Sequence, residues 1–311
     1  MKGQGPSSAL PADGAAEYLL RRLPEFRDEL GLNGGADYAR RAAALVRKFL
    51  WKEGVMYPAG LTQPTISRYL ADLARQGRSR KTLLNHRTVL SGFCRFLIGR
   101  GLLAVNPCAA VRLRAPDERL PRYLDEKELG RALAIARRQR IWPEVCLALA
   151  TGLRLSELIR LQWTDIDADR RCLAVHKSKT HRPRIVPLNE PALAALRTQR
   201  RISGRLRYVF PARRTCPGRV RYVDGPRNVN WWTRALRPIQ AAVAKFASLP
   251  GRSTGRGWHL FRHTFASRAA QRGVSLYKLA AWLGHSDVRM TRVYAHLQDG
   301  YDPDIEAGAP L

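Results

Sequence analysis

The 311 residues suffice for two domains that each bury a core, and an apolar fraction of 45% excludes a chain disordered throughout. Lys and Arg number 55 against 25 Asp and Glu, a net charge of +30 spread along the whole length, so a polyanion, nucleic acid first, is the natural partner. No apolar run approaches the roughly 20 residues that span a bilayer, and the start MKGQGPSSALPADGAAEYLL lacks the apolar segment of a signal peptide, which points to the cytoplasm or nucleoid and away from membranes.

Residues 1–14 form a Gly/Pro/Ser-rich tip, and 15–110 read as helices separated by turn signals. ADYARRAAALVRKFLWKEG (36–54) places Ala43, Val46, Phe49 and Leu50 at helical spacing, and TQPTISRYLADLARQG offers Thr62 as N-cap with Pro64 in the first turn. SRKTLLNHRTVLSGFCRFLIGRG (79–101) sets Leu83, Leu90 and Leu97 one heptad apart, with Arg80, Lys81, Arg87 and Arg95 off that line. A small all-helical domain with one basic face is expected. Arg80, Lys81 and Arg87 are its DNA-binding candidates, a solvated face being the alternative for each.

NPCAAVRLRAPDERLPRYLDEKEL (106–129) carries three prolines without helical periodicity, and a linker is placed at 111–122. The second domain, 123–297, opens with helices in DEKELGRALAIARRQR and PEVCLALATGLRLSELIRL. The pattern then alternates: CLAVHKSK and RPRIVPL read as a hairpin around KTH, and RYVFP as a short strand before further helices. Residues 298–311 form an acidic tail. The five cysteines (Cys94, Cys108, Cys146, Cys172, Cys216) show no C-x-x-C pair and no histidine at metal spacing, as expected of reduced core thiols.

Four pieces of the second domain carry chemistry. In TGLRLSEL, Arg154 sits in an apolar helical stretch and needs either an acid, with Glu157 nearest, or an anionic ligand. The hairpin tip HKSKTHRPRIVPL presents Lys177 and Lys179, solvated unless an active site lies beneath, where an ammonium could protonate a leaving alkoxide. WHLFRHTFASRAAQRG holds His259, Arg262 and His263 within five residues. The two histidines are four apart, yet the H-E-x-x-H glutamate and a third ligand are missing, so no metal is expected. LGHSDVRMTRVYAHL supplies His285 and Tyr294.

Arginine and histidine donors without clustered carboxylates suit the non-bridging oxygens of a phosphodiester and the extra charge of its transition state, work otherwise given to metal ions. Tyr294 then has a use as the nucleophile that attacks phosphorus. Packing within an amphipathic helix is the alternative for a lone tyrosine.

These pieces resemble the tyrosine recombinases, which include phage integrases and Xer-type resolvases. TGLRLSEL, SKTHRPRIVPL and WHLFRHTFASRAAQRGVSLYKLAAWLGHSDVRMTRVYAHL match well, and the helical half ending in NPCAAV matches more loosely. Arg154, Lys179, His259, Arg262, His285 and Tyr294 follow the family's order. The resemblance implies a mainly α chain: a helical N-terminal DNA clamp plus an α+β catalytic domain with a small antiparallel sheet. It implies site-specific recombination through a 3′-phosphotyrosine and a free 5′-hydroxyl, with neither metal, ATP nor other cofactor. The two arginines and His285 would contact the phosphate, His259 would assist proton transfer, and Lys179, five residues before Arg184, would protonate the leaving 5′ oxygen, with Lys177 left as a DNA contact. Expected partners are double-stranded recombination sites, further copies of the chain in a tetramer on DNA, and accessory DNA-binding proteins. Two rivals are a DNA-relaxing topoisomerase of the same chemistry and a non-catalytic DNA-binding regulator.

Overall fold

The computed structural model describes residues 18–115, 120–176, 183–216, 219–247 and 256–298. The N-terminal tip, the hairpin tip with Lys177 and Lys179, and the tail from residue 299 lie outside the described residues. The chain divides into two units, 1–118 and 119–311.

The first unit is helical: α1 (Tyr18–Arg21), α2 (Leu23–Gly34), α3 (Ala36–Glu53), α4 (Gln63–Arg75) and α5 (Arg80–Ile98). Periodicity decides which faces bury. In α3, Ala39, Ala42, Ala43, Val46, Phe49 and Leu50 turn inward and Gly54 ends the helix in a left-handed turn. Thr62 caps α4 by accepting from the Thr65 N–H, and Ser79 caps α5 through the Thr82 N–H, both at 3.3 Å. Phe26 meets Phe93 and Phe96 edge-on at 5.1 and 5.4 Å. A short 3-10 turn, Pro107–Ala110, completes the core, and Val111 packs there too, one residue into the segment expected as linker.

The second unit starts with α6 (Glu126–Arg138), whose N-terminus carries a capping box from Asp125 and Glu128. Next come α7 (Trp142–Thr151), α8 (Leu155–Arg160), the strands β1 (Ile166–Asp167), β2 (Cys172–Val175) and β3 (Arg184–Pro187), and α9 (Glu190–Ser203). The three strands form an antiparallel sheet in order β1-β2-β3, with Leu173 opposite Val186 and Val175 opposite Arg184. The expected strand RYVFP is corrected: Tyr208 makes only an isolated bridge to Gln162, while Val209 and Phe210 enter the core. The ladder lies just beyond, between β4 (Pro211–Cys216) and β5 (Arg219–Pro226). That arginine-rich ribbon exposes Arg213, Arg214, Val220 and Arg221, so it carries none of the period-two apolar signal of a half-buried strand.

Helices α10 (Val229–Ala242), α11 (Ala244–Ala247), α12 (Arg256–Gln271) and α13 (Leu276–Leu283) and two 3-10 segments complete the unit. Its aromatic core supports α12: Trp232 packs on Phe210 at 5.3 Å and on Trp258 at 4.9 Å, and Trp258 on Phe261 at 5.5 Å. The indole N–H of Trp258 donates to the Trp232 carbonyl at 3.0 Å. The helix carrying His259, Arg262 and His263 is thereby anchored on its apolar side. No described helix is long and apolar enough to cross a membrane.

Candidate active site

Helix α7 stops at Gly152, where φ is +62° and a Cβ would meet a Phe265 ring carbon at 2.5 Å. The continuous helix expected through TGLRLSEL is therefore broken. Arg154 is extended, at the N-cap of α8, and its guanidinium swings toward α13. It donates from Nη1 to Glu157 Oε1 at 3.1 Å and from Nη2 to the Gly284 carbonyl at 3.2 Å, while its backbone N–H donates to Glu157 Oε2 at 2.8 Å. The ion pair weighed for Arg154 is present. Arg184 of β3 joins it with a fork onto the same carboxylate, at 3.0 and 2.7 Å, and donates from Nε to the Trp282 carbonyl at 2.8 Å.

Arg262 emerges from α12 into the same junction. Its Nη1 donates to the Gly152 carbonyl at 2.7 Å and its Nη2 to the Leu283 carbonyl at 2.6 Å. The left-handed glycines that end α7 and α13 thus each turn a carbonyl onto one of the two arginines. Gly284, with φ at +64°, leaves no room for a side chain, since a Cβ would lie 2.9 Å from Arg184 Cδ. His285 follows directly, and its Nδ1 lies 2.7 Å from Thr291 Oγ1, which turns Nε2 the other way.

Tyr294 lies in the 3-10 segment Arg292–Leu297 and not in the amphipathic helix weighed for it. The Tyr294 N–H bonds the Thr291 carbonyl three residues back, at 3.0 Å. The ring is buried with Ala266, Ala270, Leu279 and Leu283, and the hydroxyl is 2.7 Å from Nδ1 of His263.

Two arginines, Arg154 and Arg184, share the Glu157 carboxylate, and Arg262 feels its charge without bonding it. Burial by itself would raise the Glu157 carboxyl, but hydrogen bonds and charge from Arg184, then Arg154, hold it below the usual carboxylate range. Burial, then Arg154, pushes Arg262 down to about 9, still cationic at neutral pH. Burial, then Arg262 and Arg154, pushes His285 down to about 4. Burial, then His259 and Arg262, does the same for His263. Burial lifts the Tyr294 phenol to about 12 against the pull of Arg262. The junction holds positive charge that its own acids leave uncompensated, and its histidines stay neutral.

Arg154, Arg262, His285 and Tyr294 therefore converge where the middle of α12 meets the C-terminal ends of α7 and α13. His259 sits one turn before His263 with an exposed edge. Lys177 and Lys179 fall outside the described residues, as does Tyr301, the nearest competing tyrosine. In the first unit Arg80 and Lys81 are exposed, whereas Arg87 is half-buried and donates to the Cys108 carbonyl at 3.2 Å. Among the described residues no group of three or more His, Cys, Asp or Glu converges as metal ligands do. Arg184 was missed, although alternation along RIVPL puts it on the same face as buried Val186. His263 has no assigned role in the sequence reading beyond the rejected zinc pair and the general set of histidine donors, and Thr291 carries no signal there.

A family model described as the phage integrase family matches residues 122–300. The tyrosine recombinase XerC of Xylella fastidiosa (strain 9a5c) is 31% identical over 274 residues, covering 85% of this chain and 86% of that one. XerC of Bacillus licheniformis is 29% identical over 256 residues, covering 80% and 81%. Among solved structures, the Tn1549 transposon integrase in complex with transposon right end DNA superposes with a TM-score of 0.68 at 18% identity, over 90% of this chain and 95% of that one. A lambda integrase dimer bound to a COC′ core site gives 0.69 at 19% identity, over 91% and 96%.

Proposed function

The chain belongs to the phage integrase family and is an enzyme of the tyrosine recombinase class, which cuts and rejoins DNA; from that premise we propose that Tyr294 is its nucleophile and Arg154, Arg262 and His285 its phosphate clamp. The observation that carries this reading is the shared frame. Both arginines are fixed by carbonyls at 152, 283 and 284, next to His285, while Tyr294 is held to α12, the helix that bears Arg262.

On this reading the Tyr294 oxygen attacks the scissile phosphorus. The Oη–P bond forms, the P–O5′ bond breaks, and the leaving oxygen takes a proton from Lys179. His259 assists proton transfer, the role that the family resemblance implies for it. The arginines face the oxygens that gain charge, preorganised in a site where such donors act strongly. The phosphodiester energy is kept in the tyrosyl phosphate, so rejoining by a 5′-hydroxyl needs no ATP. Glu157 pairs with Arg154 and sets its direction, and Arg184 holds that carboxylate in place.

Residues 15–110 act as the DNA clamp, with Arg80, Lys81 and Arg87 toward the phosphates, and several copies, a tetramer, assemble on duplex recombination sites of the nucleoid. The charge of +30 supports the electrostatic part, and the neighbouring integrase structures hold DNA. The test is to incubate the chain with sheared DNA from the region around its own gene, recover adducts that survive boiling in detergent, and map their ends. Sites bearing 5′-hydroxyl ends and nucleotide on Tyr294 are expected. An adduct undiminished in Tyr294→Phe, or nucleotide found on Tyr301, refutes the assignment.

A further inference from the structure

One side chain outside the proposed set touches the reacting oxygen itself. His263 follows Arg262 on α12, and its Nδ1 lies 2.7 Å from the Tyr294 hydroxyl, with ring centroids 6.2 Å apart. We infer that His263 is a catalytic residue: the base that takes the phenol proton as Tyr294 attacks phosphorus, and the acid that returns it when the strands rejoin. The inference rests on Tyr294 being the nucleophile.

Tyr294 is 2% exposed, and among the described residues its hydroxyl bonds His263 and not His259. Both groups are also in the protonation state that the transfer needs. His263, held down to about 4 chiefly by burial, then by His259 and Arg262, rests as a free base, and the phenol, lifted to about 12 by burial, rests protonated. The hydroxyl then donates to Nδ1, with the ring in its Nε2–H form.

The step balances without a further reactant. As the Oη–P bond forms, the O–H electron pair stays on oxygen and the proton passes to Nδ1. As the P–O5′ bond breaks, the leaving oxygen is protonated from elsewhere. The new imidazolium stands beside a phosphorane that has gained negative charge, which offsets the burial and the repulsion from His259 and Arg262 that kept the ring neutral. In the reverse step the imidazolium gives its proton back to the departing phenol oxygen.

A buried tyrosine usually finds some hydrogen-bond partner, so the experiment has to separate proton transfer from packing. The probe is a pool of nicked random-sequence duplexes, and the readout is the initial rate at which the full chain forms detergent-resistant adduct. His263→Leu removes both the hydrogen bond and the base. His263→Asn keeps an acceptor near the phenol yet cannot take a proton. Both should bind duplex as the wild type does and form adduct slower by roughly 10²- to 10⁴-fold, the range of general acid–base catalysis. Fluorotyrosine at position 294, whose phenol gives up its proton more readily, should restore part of the rate in His263→Asn. A wild-type rate in His263→Asn overturns the inference and leaves only a positioning hydrogen bond, and so does a slow variant that fluorotyrosine leaves unmoved. Should His263→Leu fail to fold, His263→Asn decides by itself. Adduct surviving in Tyr294→Phe removes the nucleophile assignment instead, so the two failures are told apart.

Discussion

The two units bury different kinds of residue. Every buried polar or charged residue among the described ones lies in the second unit: Glu144, Thr151, Glu157, Gln199, Ser203, Arg227, Arg262, Thr264, Ser267 and Thr291. The first unit buries mainly apolar side chains and keeps most of its charge outside, as the hydrophobic effect dictates; its enclosed Glu53 carboxylate pairs with exposed Arg68 at 2.9 Å. Buried charge is costly unless paired, so its concentration in the second unit marks where packing serves something besides stability. Two buried glutamates sharpen the point. Glu144 meets Arg227 at 2.6 Å, but its Oε2 has no partner, and burial outweighs Arg227 to raise its pKa. Glu157 has Arg184, Arg154 and a backbone N–H, and its pKa is lowered. Glu144 is the more deeply enclosed and has fewer donors, so burial wins there, whereas the donors win at Glu157. The Glu144 pair ties α7 to the root of the β4–β5 ribbon, where Arg227 also donates to the Pro211 carbonyl at 3.1 Å. The Glu157 cluster steers two arginines toward the junction of α7, α12 and α13.

If the second unit buries polarity for chemistry, the largest effect belongs to Tyr294→Phe. Adduct should vanish while duplex binding persists, and the lost hydrogen bond to His263 should cost only about 0.5–1.5 kcal/mol in thermal unfolding. Arg154→Ala should cut the cleavage rate by roughly 10²- to 10³-fold, the usual weight of one oxyanion donor, with unchanged duplex affinity. A loss of affinity that matches the loss of rate would instead make Arg154 a ground-state contact. Arg227→Ala should do the reverse: leaving Glu144 buried and unpaired costs about 3–5 kcal/mol, a fall in melting temperature of roughly 6–20 °C, while cleavage below that temperature stays near the wild-type rate.

Acidification should separate the units more gently. His263 and His285 fall from 6.5 to about 4 on folding. The unfolded chain therefore takes up protons first, and the stability these rings contribute is complete above about 6.5 and lost as pH falls through about 4. Glu157, also lowered, acts in the same sense. Glu144, raised, works the other way: its contribution declines as pH rises through and above the ordinary carboxylate range. Melting temperature followed from pH 7 to pH 4 should fall, and by less in His263→Asn, which no longer titrates there. The smallest effect belongs to the first unit. Lys81→Ala should reduce the slope of log affinity against log salt by about 0.9 if that lysine contacts phosphate, and should leave stability within about 0.5 kcal/mol. An unchanged slope leaves Lys81 as a solvated cation.

Periodicity, caps and charge foretold most of the first unit, because its helices are amphipathic and each inward face is written at i, i+3, i+4 and i+7. Thr62 and Ser79 cap by contacts three residues along the chain, and local rules reach that far. Arg154, Arg262, His285 and Tyr294, which the structure brings together, were legible as a set, since arginine and histidine donors without clustered carboxylates recur in these short motifs. Their arrangement was not. The break at Gly152 depends on Phe265 and Leu283 closing over it, the fork of Arg184 on Glu157 spans 27 residues, and the meeting of His263 with Tyr294 spans 31. The ribbon β4–β5 was hidden for another reason: its strands pair by backbone hydrogen bonds while Arg213, Arg214, Val220 and Arg221 stay exposed, so no buried apolar face announces them. Sequence determined which residues could do chemistry and which helix faces would bury. Tertiary structure decided the long-range pairings, Arg184 with Glu157 and His263 with Tyr294, because those partners lie beyond the few residues over which a chain's own geometry constrains it.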